Sequence, residues 1–369
     1  MRQPKILFVF GTRPEAIKLA PLINTFKTDS EKYFKTYSCS TGQHKEMLSQ
    51  VNSFFKIDID FNLNIMKKNQ TLSSISSEIL NKLDLVFNDL NPDAVIVHGD
   101  TSTTAIASLS AFYNKINVFH VEAGLRTHDK YAPFPEEINR SIVSKIADLN
   151  FAPTEKAKKN LVNEGIDLDS IFVTGNTVID SLMLAQKKLE NYDDQEIVSL
   201  KKIINPNKKI ILVTAHRREN FGKKLENICL ALLELSTEKD IQVIYPCHLN
   251  PNVQSIVKSI LNNKKNINLI DPLGYPAFTW LMQKAYIILT DSGGIQEEAP
   301  SLNKPVFVLR NKTERPEGVK SGTSVLVGTK KEKILKYALK AIRNKNYYES
   351  IALKDNPYGD GKASKKILE

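Results

Sequence analysis

The chain has 369 residues, 41% hydrophobic and 25% charged, an ordinary globular composition long enough for two domains. No apolar run approaches the roughly eighteen residues a membrane span needs. Three scattered cysteines with no CxxC spacing argue against a disulfide framework or structural zinc and suit a reducing cytoplasm.

The net charge of +10 invites a nucleic-acid reading. However, the lysines sit in stretches such as "KKEKILKYALKAIRNK", which read as solvated helix faces with a single tyrosine and no series of aromatics to stack on bases, and attraction for an anionic small substrate explains them equally well. The opening "MRQPKILFVFGTRPE" reads as a strand and turn, since its short apolar run leads to no small-residue cleavage site.

In chain order, β-branched and apolar runs predict strands at "KILFVF" (Lys5 to Phe10), "KTYSCS", "DAVIVH" (Asp93 to His98), "INVFH" and "SIFVTG". A second series follows: "KIILVT" (Lys209 to Thr214), "IQVIY", "INLID", "YIILT" (Tyr286 to Thr290) and "PVFVL". Helix-patterned segments such as "PEAIKLAPLINTFK" and "SSISSEILNKLDLVFNDL" lie between them. The alternation predicts an α/β chain of two Rossmann-like domains facing a central cleft, changing over between about Gly175 and Lys201. The expected division is 1–176, 177–355 and 356–369.

Ligands of parallel sheets bind beyond the carboxyl ends of the strands, so polar clusters following these runs are the candidates. "GTRPEAIK" places Arg13 and Lys18 at a helix start that could meet phosphate; Pro14 and Glu15 equally suit a plain capped helix. In "DSGGIQEE", Ser292, Gly293 and Gly294 can offer backbone N–H groups to an anion, with Glu298 one turn on to accept ribose hydroxyls. Asp100 in "GDTSTT" and Glu136 in "FPEEINR" also read as ordinary helix starts. Glu122 in "HVEAGLRT" precedes any helix pattern and is harder to explain structurally. His216, flanked by Arg217 and Arg218, could serve an anion. Six histidines without HExxH spacing make a metal centre an unattractive reading, and Cys247 reads as a small buried residue.

Taken together, "GTRPEAIKLAPL", "HGDTSTT", "HVEAGLRT", "PEEINR", "TGNTVID", "AHRREN", "HLNPNV", "LTDSGGIQEEAPSLNKPV", "TERPEG" and "NPYGDGKAS" resemble the non-hydrolysing UDP-N-acetylglucosamine 2-epimerases, in order from about residue 5 onward. The resemblance implies a glycosyltransferase-B-like fold whose C-terminal helix, at 356–369, crosses back to the first domain, a homodimer, and no metal or redox cofactor. It also implies interconversion of UDP-N-acetylglucosamine and UDP-N-acetylmannosamine for bacterial surface polysaccharides. Catalytic roles would fall on Asp100, Glu122, Glu136 and His216. UDP contacts would fall on Arg13, Lys18, Phe278, Ser292, Gly293, Gly294, Glu298 and Arg315.

Gln43, His44 and His248 fit a regulatory UDP-sugar site, but Glu46 and Asn69 depart from that pattern, and Leu273 and Gly274 depart near the expected uracil contact. Three alternatives share the nucleotide site: an epimerase of a modified UDP-sugar such as a diacetamido uronate, a hydrolysing 2-epimerase, and a glycosyltransferase.

Overall fold

Strands whose residues are buried on both faces require cover on both sides, and the sequence supplies it by alternating them with helices. The computed structural model describes residues 2–42, 45–67 and 70–369. It divides into two units: the first runs to Leu184 and includes Gly359–Glu369, and the second is Ala185–Tyr358.

The first unit contains β1 (Lys5–Phe10), β2 (Lys35–Ser40), β3 (Phe61–Asn62), β4 (Ala94–His98), β5 (Asn117–Val121), β6 (Leu149–Ala152) and β7 (Ile171–Val173). They form one parallel sheet in the order β3-β2-β1-β4-β5-β6-β7. Its order reverses between β1 and β4, and the strand ends there open a crevice. Leu7, Val9, Val95, Val97 and Val118 pack with Ile79, Leu83 and Phe87 of the helix Leu72–Leu90. Thr71 starts that helix with a capping box, and Asn91 ends it at φ 50°.

The helix after β1, Arg13–Thr28, contains Pro21, which has no N–H for the Ile17 carbonyl one turn back. Ser181 Oγ donates to that carbonyl at 2.6 Å, so the proline leaves no orphan acceptor. Ser181 lies on the helix Thr177–Leu189, next to Asp180, which accepts from the backbone N–H groups of Ala363 and Ser364 at 3.2 and 2.8 Å. The last helix, Ala363–Leu368, is thereby capped from within the first unit.

The second unit contains β8 (Lys209–Thr214), β9 (Ile241–Pro246), β10 (Ile267–Ile270), β11 (Ala285–Thr290), β12 (Val306–Val308) and β13 (Ser324–Leu326). The order β10-β9-β8-β11-β12-β13 is again parallel and reverses once, between β8 and β11. The fold is therefore α/β, with two parallel sheets flanked by helices. Strands β3, β6 and β13 were not anticipated. These strands have two, four and three residues, too short to display a period; β7, β10 and β12 are as short and are legible only as apolar runs. Among the described residues, no helix is long and apolar enough to cross a membrane.

Candidate active site

In the first unit the carboxyl ends of β1, β4, β5 and β7 bring charged groups together. Glu15 is buried and accepts four hydrogen bonds: Gly11 N–H (3.0 Å), Thr12 N–H (2.7 Å), Thr101 Oγ (2.6 Å) and Thr104 Oγ (3.0 Å). It thus ties the turn after β1 to the start of the helix Ser102–Tyr113. Burial raises its pKa, and the hydrogen bonds from Thr101, Gly11 and Thr12 work against that rise.

Glu122, directly after β5, has φ 63°, a left-handed conformation that a residue with a Cβ adopts at a cost of about 1–2 kcal/mol. Its buried carboxylate meets Lys18 Nζ in a short contact and accepts from Asn176 Nδ2 at 2.8 Å. His98 Nε2 lies 3.8 Å away, but burial pulls the His98 pKa to about 3, so this imidazole is neutral and forms no ion pair. His120 behind it is likewise neutral, with burial lowering its pKa to about 4; its Nε2–H donates to the Gly99 carbonyl at 2.7 Å.

Asp100 pairs with Arg140 and accepts from Asn139 through its backbone carbonyl at 2.9 Å. Burial, together with the nearby negative charges of Glu122 and Glu136, raises the Asp100 pKa against the pull of Arg140 and Lys18. Glu136 opens the helix Glu136–Ile146, and its Oε2 is buried without a hydrogen-bond partner among the described residues. The adjacent Glu137 has a structural task instead, accepting from the N–H groups of Thr127 and His128. Arg126 does too, forking onto Glu164 at 2.7 and 2.8 Å.

In the second unit, Asp291 after β11 is fully buried. Its Oδ2 accepts from His216 N–H (2.9 Å), Arg217 N–H (2.9 Å) and Asn220 Nδ2 (3.0 Å), which fixes the loop after β8. The His216 ring stacks on His248, centroids 5.2 Å apart. Burial lowers its pKa and Asp291 partly restores it.

Ser292 occupies the N-cap position of the short helix Gly293–Glu298, without a side-chain capping hydrogen bond. A Cβ on Gly293 would lie 3.8 Å from both Arg217 Nη2 and the Arg315 guanidinium carbon, so two cations flank this glycine's backbone. Buried Glu297 holds Arg315 Nε in a short contact. Glu314 accepts from Arg217 and Arg310 at 3.3 and 3.4 Å; burial opposes its ionisation, but Arg217, Arg310 and Arg315 outweigh it and keep its pKa below the usual carboxylate range. Tyr275 Oη donates to Glu298 at 3.3 Å. The arrangement suits a diphosphate near Gly293 and a diol near Glu298.

A family model described as UDP-N-acetylglucosamine 2-epimerase matches residues 27–369. The chain is 50% identical over 368 residues to UDP-N-acetylglucosamine 2-epimerase of Escherichia coli K12, covering 99% of this chain and 97% of that protein. It belongs to the UDP-N-acetylglucosamine 2-epimerase family.

The epimerase is also similar to a crystal structure of the Neisseria meningitidis UDP-GlcNAc 2-epimerase bound to UDP-GlcNAc, with TM-score 0.89, 49% identity, and 99% and 98% of the two chains covered. The S. aureus MnaA–UDP co-structure gives a TM-score of 0.85 at 47% identity, with 99% and 95% covered.

Among the residues singled out from sequence, the first unit of the epimerase gathers Lys18, Asp100 and Glu122, with Glu136 in electrostatic reach of Asp100. Arg13 opens the helix after β1. The second unit gathers His216, Ser292, Gly293, Gly294, Glu298 and Arg315, and places Phe278 on the helix Tyr275–Lys284. His248 lies against His216. Gln43, His44, Asn69 and the side chain of Glu46 fall outside the described residues. The sequence reading missed Asn176, Arg140 and Asp291 as partners of these groups, and Glu15 as the tie between the turns after β1 and β4. Asp291 carried a signal, an acid ending a buried strand just before Ser-Gly-Gly; Asn176 and Arg140 lie inside the quoted motifs "TGNTVID" and "PEEINR", but their partners are distant in sequence and nothing local names them.

Proposed function

We propose that this epimerase interconverts UDP-N-acetylglucosamine and UDP-N-acetylmannosamine by eliminating UDP and adding it back. The observation that carries the proposal is the group of Asp100, Glu122 and Glu136 beside Lys18 at the strand ends of the first unit. The relatives support the substrate, since one was solved bound to UDP-GlcNAc and another as a UDP co-structure.

C2–H of the sugar has no adjacent carbonyl, so a carboxylate cannot remove it directly. When the C1–O bond breaks, its electron pair leaves with UDP and positive charge develops on the ring, which acidifies C2–H. A carboxylate then takes that proton and the C–H electrons form the C1–C2 double bond of 2-acetamidoglucal. An acid on the other face reprotonates C2, and UDP re-forms the bond to C1; substrate and product have the same atoms.

Ser292, Gly293, Arg13 and Arg315 would hold the departing diphosphate, with His216 stabilising its growing charge. Lys18 would hold a carboxylate ionised, Glu298 would accept the ribose hydroxyls and Phe278 would contact the nucleotide. Asp100, with its raised pKa, suits the protonated partner, because inversion requires one acid charged while another carries a proton. Gln43, His44 and His248 are carried as a regulatory UDP-sugar site, and the setting as cytoplasmic supply of surface-polysaccharide precursors.

A homodimer is part of the proposal. Exposed Leu85, Phe112 and Tyr113 support it, lying on the neighbouring helices Leu72–Leu90 and Ser102–Tyr113. Sedimentation showing only monomer at micromolar concentration would remove that part.

The decisive experiment is a proton NMR time course with UDP-N-acetylglucosamine in D2O. The manno product should appear with deuterium at C2, and Glu122→Gln should slow turnover at least about a hundredfold. Retained C2 protium would overturn the elimination route. Release of free N-acetylmannosamine would indicate the hydrolysing reaction, and an unchanged spectrum a different UDP-sugar.

A further inference from the structure

Asn176 stands just before the helix Thr177–Leu189, where an Asn needs no explanation beyond capping: its Oδ1 accepts from Val178 N–H at 3.1 Å. That bond also fixes which end of the amide faces the other way. The Nδ2 group donates to Glu122 Oε2 at 2.8 Å, across 54 positions of sequence, and Asn176 is 1% exposed. Asp, Ser and Thr could supply the cap, but of the favoured capping side chains only Asn combines the acceptor with a donating NH2 group.

We propose that Asn176 is a positioning residue of the epimerase, whose amide, with Lys18, holds Glu122 as an oriented carboxylate for reaction at C2. The inference rests on the role proposed above for Glu122.

The groups facing Glu122 come from four strand ends. Lys18 reaches it from the helix after β1, and Asn176 follows β7. Neutral His98 and His120 approach from β4 and β5, and Asp100 faces it from the loop after β4. Lys18 and Asn176 are hydrogen-bonded to its carboxylate, and a carboxylate that accepts such bonds is favoured over its protonated form. Glu122 is also held at φ 63°, so its side-chain direction depends on what it meets rather than on an ordinary backbone preference.

Asn176→Ser separates the two tasks, because serine's single hydroxyl retains the cap and lacks the NH2 group that reaches Glu122. The variant should melt within a few degrees of the parent and bind UDP with unchanged affinity. The acidic limb of its kcat–pH profile should move upward by about one pH unit, the equivalent of one charge-assisted hydrogen bond. Below that limb kcat should fall about tenfold and recover at higher pH, while KM changes little. Asn176→Asp, which keeps the cap and adds a negative charge, should move the limb further the same way.

An unshifted profile in both variants would overturn the inference and leave Asn176 as a helix cap. A Glu122→Gln enzyme turning over at the parental rate would instead overturn the role of Glu122, whatever the Asn176 variants do. If Asn176→Ser does not fold, the Asn176→Asp profile decides.

Discussion

His120 offers a test of how burial controls charge beneath the carboxylates. It sits in β5, is fully buried, and donates Nε2–H to the Gly99 carbonyl at 2.7 Å. In that tautomer Nδ1 carries no proton, and no hydrogen-bond partner faces it among the described residues. Protonation would place a charge and an unsatisfied N–H in the interior, and the pKa accordingly falls from 6.5 to about 4.

A depressed folded-state value means the stabilisation is complete above pH 6.5 and is lost as pH falls towards about 4, because the unfolded chain binds the proton first. At pH 5 the unfolded imidazole is almost wholly protonated and the folded one is not. The loss attributable to this side chain between pH 8 and pH 5 is therefore about 2 kcal/mol.

His120→Gln retains an NH2 group to meet Gly99 and does not titrate. Hydrogen exchange read on peptides of β4 and β5 gives the opening free energy of the first unit; Trp280, the single tryptophan, lies in the second unit and reports on that one. Wild type should lose about 2 kcal/mol more than His120→Gln on going from pH 8 to pH 5. Equal losses in the two proteins would show that the ring is not held neutral by its burial, and the reasoning would fail.

Glu298→Ala should weaken UDP binding by about 1–3 kcal/mol in calorimetry, because it removes a charged acceptor expected to meet the ribose. Gly124→Ala should lower stability by about 2–5 kcal/mol in a denaturant titration, since Gly124 has φ 85° and its new Cβ would lie 2.3 Å from the Ala157 carbonyl oxygen. Asp180→Ala should weaken the start of the helix Ala363–Leu368 by about 0.5–2 kcal/mol; faster exchange at the Ala363 and Ser364 amides is the readout.

What the sequence determined by itself were the features written in adjacent residues. Long apolar runs such as Lys5–Phe10 and Lys209–Thr214 are strands because a fully buried strand must be apolar on both faces, and a parallel arrangement follows from the helices between them. Ser292-Gly293-Gly294 was readable as a helix start because residue type there is a local property, and Ser292 stands at the N-cap of the helix Gly293–Glu298. Tertiary structure decided which ionisable groups became partners. In "HVEAGLRTHDKYAPFPEEINR" the sequence sets Glu122 apart but assigns no partners: Arg126 is spent on Glu164 and Glu137 on two backbone N–H groups, while Glu122 meets Lys18 and Asn176. Electrostatic and hydrogen-bond energies depend on distance and burial, and neither is fixed by position along the chain. Lys18, Glu122 and Asn176 come from the ends of three different strands, and only the order of the sheet brings them within reach of one another.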